Sequence, residues 1–449
     1  MDGKRIVVTG MGAYTPLGLD ANELFANVRD GKSVIRDVSK DIPVNVKLNG
    51  EGEIPILRTN GSYIGSLFYQ EQITHDRFGK ESKRRMCHDT RIVSAAAKEA
   101  IENSGIFYDL TNAERIKERT GVSIGSGFGG LSDIEKAVLV VHEKGLGEID
   151  DFIAFKTLPG APAAYIASHY ELHAGDGPSI CTECSSGNSN IINGCMNIQM
   201  NLADVMICGG TGDAFSFLTH GGFSKLKATS YRNEDPIHAS RPFDRDRNGF
   251  VIGDGAGIVV LEELEHAKKR RAKIYGEIKG YGAKLDGDHP TSPRSDAKYA
   301  TLAIKQALEM ARLNPEDINH INAHGTSTKF NDWQETLAIK QAFGEYAHRI
   351  PITANKSMLG HTLNAAGALE FIISLKAMTD GVIPPTVNME NPDTEKTYHD
   401  ERLQKFFVPC DLDYVPNKAR EARTRNFISS SFGFGGRSVV LCAGEYLGN

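Results

Sequence analysis

Cysteine is scarce in this chain: seven in 449 residues, an odd count without a regular framework. Such sparse use argues against a disulfide scaffold and points to a reducing compartment. Long apolar runs are also missing; no stretch approaches the roughly 20 residues that a bilayer-spanning helix needs. Nor is there an excess of positive charge. With 51 Lys and Arg against 57 Asp and Glu, the net charge is −6, so no global field draws the chain to nucleic acid or anionic lipid. The opening "MDGKRIVVTGMGAYTPLG" has no apolar stretch ending in a small-residue cleavage site, so a secretory signal is not expected. Low-complexity segments are lacking. A cytoplasmic α/β protein without nucleic-acid or membrane partners is the expectation.

What is present is alternation. Short β-branched runs bounded by glycine, such as "RIVVTG", "TGVSIGSG", "ADVMICGG", "AGIVVLEE", "KIYGEIKGYG", "INHINAHGT" and "SVVLCAGE", alternate with helical patterns. The helices include Asp89 to Gly105 and Ala297 to Leu313; the second places Leu302, Ile304, Ala307, Leu308 and Met310 on one apolar face. This pattern predicts α/β layers around buried sheet. Two halves, residues 1–273 and 274–449, each close with a glycine turn feeding an apolar strand: "GDGAGIVVLEE" and "GFGGRSVVLCAGE". The stretches near Leu48 and from Asp393 read as surface insertions.

The segment "CTECSSGNSN" sets Cys181 and Cys184 at C-x-x-C spacing. A redox pair is one reading, since the motif falls between a strand and a helix. Zinc would need a second pair at matching spacing; the other five cysteines stand singly, so no metal site is expected. The third reading makes Cys184 a nucleophile at a helix start, where the macrodipole favours a thiolate, and Cys181 a small core residue. Partners for a nucleophile exist. "NAHGTST" and "NKSMLGHTLNAAGALE" each put a histidine, His324 and His361, at a glycine turn, with Lys356 nearby.

Taken in order, "TECSSG", "NAHGTSTKFNDWQE", "KSMLGHTLNAAGALE" and "SSSFGFGGRS" resemble the signature blocks of the beta-ketoacyl-[acyl carrier protein] synthases of the elongating type. The resemblance extends through "TGMGAYTPLG", "ASRPFDRDRNGFVIGDGAG" and "IPPTVNMENPD" over nearly the whole chain. It implies a thiolase-like fold, a pseudo-duplicated five-layer αβαβα arrangement, with the nucleophile in the first half and the two histidines in the second. It implies acyl transfer to Cys184 and decarboxylative condensation, with His324 and His361 on the enolate. Lys356 and Glu335 would form a charged pair behind them. The backbone N–H of Phe434 would share an oxyanion site with that of Cys184, and Thr326, Thr328 and Phe432 would border the pantetheine arm. No cofactor is implied beyond the phosphopantetheine of an acyl carrier protein. That acidic partner would dock on Lys83, Arg84, Arg85 and Lys227. A homodimer is expected, with a heterodimer as the alternative.

Four positions depart from the pattern. Phe128, in "GSGFGG", would fill the bottom of the acyl pocket; Glu183 stands where alanine is common and would face either the thiol or the acyl tunnel, as a substrate-binding residue; Arg437 and Ser438 replace the commoner Thr-Asn. These favour a specialised polyketide or polyene pathway over housekeeping fatty-acid elongation. A silent chain-length partner would typically lack the nucleophile, and a degradative thiolase would carry a second cysteine where Phe434 stands.

Overall fold

The computed structural model describes residues 4–39, 41, 45–47, 53–55, 62, 64–68, 85–108, 112–394, 398–400 and 405–448. Nine strands form its main sheet: β1 (Ile6–Tyr14), β2 (Thr120–Ser126), β3 (Val205–Gly212), β4 (Gly255–Glu263), β5 (Gly276–Leu285), β6 (His320–Asn322), β7 (Ile352–Thr353), β8 (Asn426–Gly433) and β9 (Arg437–Gly444). Their order is β7-β6-β8-β9-β5-β1-β4-β3-β2. Read outward from the centre, both halves repeat one plan. The first strand pairs antiparallel with the last, the last antiparallel with the one before, and that one parallel with an outer strand. Between the halves, β1 and β5 pair through Ile6, Val7 and Val8 against Ile278, Glu277 and Gly276.

Helices cover both faces, which is why residues all along β1 and β4 are buried and apolar runs suit them. On the outer side of the first half lie α1 (His88–Ser104) and α2 (Ala161–Tyr170). Between the halves lies α3 (Ser186–Gln199); α4 (Lys298–Ala311) and α5 (Lys329–Phe343) cover the second half outside, and α6 (Ala366–Asp380) joins α3 in the middle. Both α3 and α6 touch strands of the two halves, giving five alternating layers. The architecture is the thiolase-like one expected.

The duplication reaches single residues. A Cβ on Gly10 or Gly12 of β1 would lie 2.2 or 2.1 Å from the carbonyls of Ala100 and Ala96 in α1. In the second half, Gly280 and Gly282 of β5 would meet Ala307 O at 2.3 Å and Ala303 O at 2.0 Å in α4. Each strand also shifts register at one place, between Val8 and Gly10 and between Ile278 and Gly280. A Gly-x-Gly strand thus receives an Ala-x-x-x-Ala helix directly on its backbone, twice.

This close approach corrects one expectation. The buried face of α4 is Ala300, Ala303, Ile304, Ala307 and Leu308, while Leu302 and Met310 are exposed. Long side chains would hold helix and strand apart, so the alanines face inward. The two expected insertions lie largely outside the described residues. Within them Asn45–Lys47 pairs with Glu53–Pro55, and Tyr398–Asp400 with Lys405–Phe407. Gly282→Val should destabilise the fold by about 1–3 kcal/mol or more through overpacking. A thermal melt would show it as a lowered midpoint, whereas an unchanged midpoint would mean that the helix can retreat.

Candidate active site

Cys184 lies on the turn leading into α3, half-buried, with Ser185 as the helix cap. The turn is sharp: Glu183 holds φ +49°, and Ser185 N and Ser186 N donate to Thr182 O and Glu183 O at 3.0 and 3.1 Å. Ser431 of β8 ties it to the second half, its Oγ donating to Cys184 O at 3.0 Å. Burial pushes the Cys184 thiol up to about 12; Lys356 opposes the rise and Glu183 adds to it. The sulfur therefore rests as a thiol, not as the thiolate expected from the helix terminus. Desolvation outweighs the dipole here, because Cys184 precedes the cap and lies outside the first helical turn. Cys181, expected in the core, is exposed.

Facing the thiol across a cavity of about 680 Å³ stand His324 and His361, both buried. Their rings are 5.3 Å apart at 82°. His324 follows β6, where the Glu335 carboxylate accepts the backbone N–H of His324 at 2.7 Å and of Gly325 at 2.8 Å. His361 is held by its backbone to the strand-like segment at Val251–Gly253, with N to Val251 O at 2.6 Å. Its ring lies against Phe250, and the His324 ring against Phe432.

Lys356 fixes the protonation pattern. Its Nζ donates to Glu370 Oε1 and to His324 O at 2.5 Å each, and lies 3.3 Å from His324 Nδ1. An ammonium has no lone pair, so His324 Nδ1 must accept and the proton of the neutral ring sits on Nε2. Likewise Leu363 N–H donates to His361 Nδ1 at 3.2 Å, placing that proton on Nε2 as well. Burial, with Lys356 nearby, holds both rings well below the usual histidine range, so both are neutral. The site thus offers one thiol and two imidazole N–H donors in a shared cavity.

The expected partner of Lys356 was Glu335; the structure corrects this to Glu370, on α6. Glu335 instead shapes the His324 turn through backbone N–H groups. Burial pushes both carboxyls up to about 7. The sequence signal for Glu370 was available: one carboxylate among the apolar and small residues of "LNAAGALEFIISL".

Two family models match the chain, "Beta-ketoacyl synthase, N-terminal domain" over residues 3–267 and "Beta-ketoacyl synthase, C-terminal domain" over 275–390. The chain belongs to the beta-ketoacyl synthases. It is an acyltransferase of the ketosynthase kind. It is 38% identical to the 3-oxoacyl-[acyl-carrier-protein] synthase 2 of Synechocystis over 99% of both chains. A solved type II polyketide acyl carrier protein in complex with its hexaketide-bound ketosynthase matches at 28% identity and TM-score 0.81, over 99% of this chain and 100% of that one. The ishigamide ketosynthase/chain length factor matches at 30% and 0.81, with the same coverage.

In this synthase Thr326, Thr328, Phe432 and Phe434 line the cavity with Cys184 and the histidines. The two threonine hydroxyls lie 2.9 Å apart. Phe434 sits on the glycine turn with its ring 6.1 Å from that of Phe223. Two expected pocket residues do not join them. Phe128 is 39% exposed, carried outward by the turn with Gly129 and Gly130 at φ +55° and +67°, and does not line the cavity. Glu183 also lies outside the cavity and forms an ion pair with Arg437. Lys227 is exposed on the cavity's rim, where Lys329, missed from the sequence, joins it. Arg85 places its guanidinium over the Phe152 ring at 5.4 Å. Lys83 and Arg84 lie outside the described residues.

Two outcomes follow from these charges. Glu370→Ala should leave the Lys356 ammonium buried without its carboxylate and cost about 3–5 kcal/mol, read as a large drop in melting midpoint; a drop no greater than that of an exposed Glu→Ala control would contradict the pairing. Because the thiol is raised, its thiolate fraction grows as pH rises. Iodoacetamide alkylation of Cys184 should therefore accelerate about tenfold per pH unit from roughly pH 7 to 10 without a plateau. A plateau near neutrality would show a thiolate at rest.

Proposed function

We propose that the protein catalyses decarboxylative Claisen condensation of malonyl-acyl carrier protein with an acyl chain held on Cys184. The observation that carries this is the pair of neutral histidines with Nε2–H donors sharing one cavity with a single thiol. The half of residues 1–273 brings the nucleophile and the half of residues 274–449 the histidines. No resident cofactor is required, because the substrates arrive on the phosphopantetheine arm.

The chemistry runs in two steps. First, the Cys184 sulfur bonds to the acyl carbonyl carbon of a carrier thioester. The carrier sulfur leaves and takes up the proton that Cys184 gives up. The oxyanion between these events would be received by the backbone N–H groups of Cys184 and Phe434. Second, malonyl-carrier occupies the cavity and its carbon–carboxylate bond breaks, releasing CO2. The electron pair passes into the thioester as an enolate, whose oxygen accepts from His324 and His361 Nε2–H. Neutral donors suit this task because they hold the charge without quenching the carbanion by proton transfer. The carbanion bonds to the acyl carbonyl, Cys184 leaves and recovers one proton, and a 3-oxoacyl-carrier departs.

The carrier is acidic by the family pattern, and Lys227 with Lys329 at the cavity rim gives it a basic edge. Exposed Phe128, Val138, Phe155 and Leu158 supply apolar surface for a second subunit. We favour a homodimer; a chain-length-factor partner is the alternative, as in the ishigamide protein. For the pathway, we favour a specialised polyketide or polyene route. The polar cavity rim of Asp286, Asp288, His289 and Arg437 supports it. Fatty-acid elongation is the second reading, favoured by the 38% identity to the Synechocystis enzyme.

Intact mass after incubation with saturated and polyunsaturated acyl-carriers tests both levels. Acyl mass should appear on the unmutated protein and not on Cys184→Ala, with unsaturated or short chains preferred. Preferred loading of long saturated chains would decide for fatty-acid elongation, and no loading in the homodimer would overturn the catalytic reading. His361→Ala should retain acylation yet lower malonyl decarboxylation about 100- to 1,000-fold, the usual loss for one charge-stabilising donor.

A further inference from the structure

Two side chains at the edge of the site have no part in the steps above. Glu183 directly precedes the nucleophile. Arg437 opens β9 opposite Gly433, so it closes the hairpin whose tip is Phe434, Gly435 and Gly436. Arg437 Nε meets Glu183 Oε2 at 2.6 Å as an ion pair. The contacting atoms are sealed from solvent and are not aligned as a hydrogen bond, so the contact is an electrostatic one, while the side chains are 38% and 40% exposed overall. The pair therefore has a dry point of contact and a wet remainder. Gly433 nestles beside it: a Cβ there would stand 2.9 Å from Thr182 O and 3.4 Å from Glu183 Cβ.

We propose that the Glu183–Arg437 ion pair is a positioning device for acyl transfer, locking the Phe434 hairpin to the nucleophile's own turn so that the N–H groups of Cys184 and Phe434 stay aimed at one point. The inference rests on Cys184 being the acyl acceptor. The hairpin tip is anchored away from the nucleophile's turn, Gly435 N–H donating to Pro290 O at 2.6 Å and Asp286 N–H to Gly436 O at 2.9 Å, so the tie proposed here is the one toward Cys184. The tip carries glycines at φ +75° and +74°, which stiffen nothing by themselves. The nucleophile turn belongs to a distant part of the chain and meets the hairpin through Ser431 on one side and Arg437 on the other. Transfer rates fall steeply when reacting groups shift by an ångström, so a tie at this junction acts on rate rather than on affinity.

Charge is the second reason for a pair. The Glu183 carboxylate opposes ionisation of the sulfur, and on this proposal its pairing with Arg437 tempers that charge. The other charges acting on the thiol are Lys356 and Glu370, and Asp286 packs against Gly436 on the far side of the hairpin. Both sequence departures thus answer each other: the glutamate before the nucleophile is matched by the arginine after the glycine turn.

The test is single-turnover transfer of a hexanoyl group from a phosphopantetheinylated carrier protein, followed by intact mass, for the unmutated protein, Glu183→Ala, Arg437→Ala and the swapped double variant E183R/R437E. Each single change should lower the maximal rate about 10- to 100-fold while altering the half-saturating carrier concentration less than about threefold. The swap should recover at least about a third of the lost logarithm of rate. Unchanged maximal rates, a loss confined to half-saturation, or a swap no faster than the singles would overturn the proposal. Iodoacetamide alkylation of Cys184 in the same variants reads the pair without any acyl substrate. Glu183→Ala should speed it and Arg437→Ala slow it; shifts of the same sign would overturn the pairing. An unmutated protein that alkylates but accepts no acyl group would instead overturn the proposed function.

Discussion

A single buried ammonium organises this site. Lys356 is held by the Glu370 carboxylate and the His324 carbonyl, and it lies against His324 Nδ1. From that position it dictates the His324 tautomer, adds to the burial that keeps both imidazoles neutral and opposes the rise of the Cys184 thiol. A buried charge of this kind is tolerable only when paired and hydrogen-bonded. Glu370 must therefore project from the middle helix layer into the site, and the central position of α6 follows from that need.

The layers serve the same end. Because α3 and α6 lie between the two halves, Cys184 at the start of α3 and the histidines of the second half meet across one cavity. The outer layers are set by direct contact of glycine backbone with alanine helices, repeated as Gly10–Gly12 on α1 and Gly280–Gly282 on α4. Such contacts leave little freedom to slide, so the outer helices are fixed on the sheet by backbone rather than by long side chains. The middle layer of α3 and α6, which touches both halves, brings Cys184 and His324 to one cavity.

Much of this was legible in the sequence, because the features concerned are local. Glycine turns before apolar strands marked β4 and β9, and the Gly-x-Gly pairs in "TGMGAY" and "EIKGYG" stood in plain view. Cys184, His324 and His361 were legible from turn junctions and ordered blocks. What failed were readings that depend on geometry across the chain. Lys356 was matched to Glu335 by the resemblance, although the carboxylate the fold delivers, Glu370, is nearer in sequence. Leu302 and Met310 were placed inward by apolar character, although alanines suit a helix pressed onto glycine. Phe128 was read as pocket wall and Glu183 as facing the thiol or the tunnel, because a sequence does not show which way a turn aims its side chain. Glu183 and Arg437 drew notice separately as departures, and only the structure shows them in contact.

Chemically the site is a cavity whose thiol and two imidazoles rest neutral. In the proposed condensation the two Nε2–H groups would receive an enolate oxygen. The most direct measurement is a long-range nitrogen–proton correlation spectrum of protein with 15N-labelled histidine. His324→Gln and His361→Gln would assign the two rings, with spectra followed down to about pH 5.5, below the ordinary histidine pKa. The account predicts that both rings stay neutral throughout, with the proton on Nε2 and Nδ1 bare. An imidazolium, or a proton on Nδ1 of either ring, would contradict it.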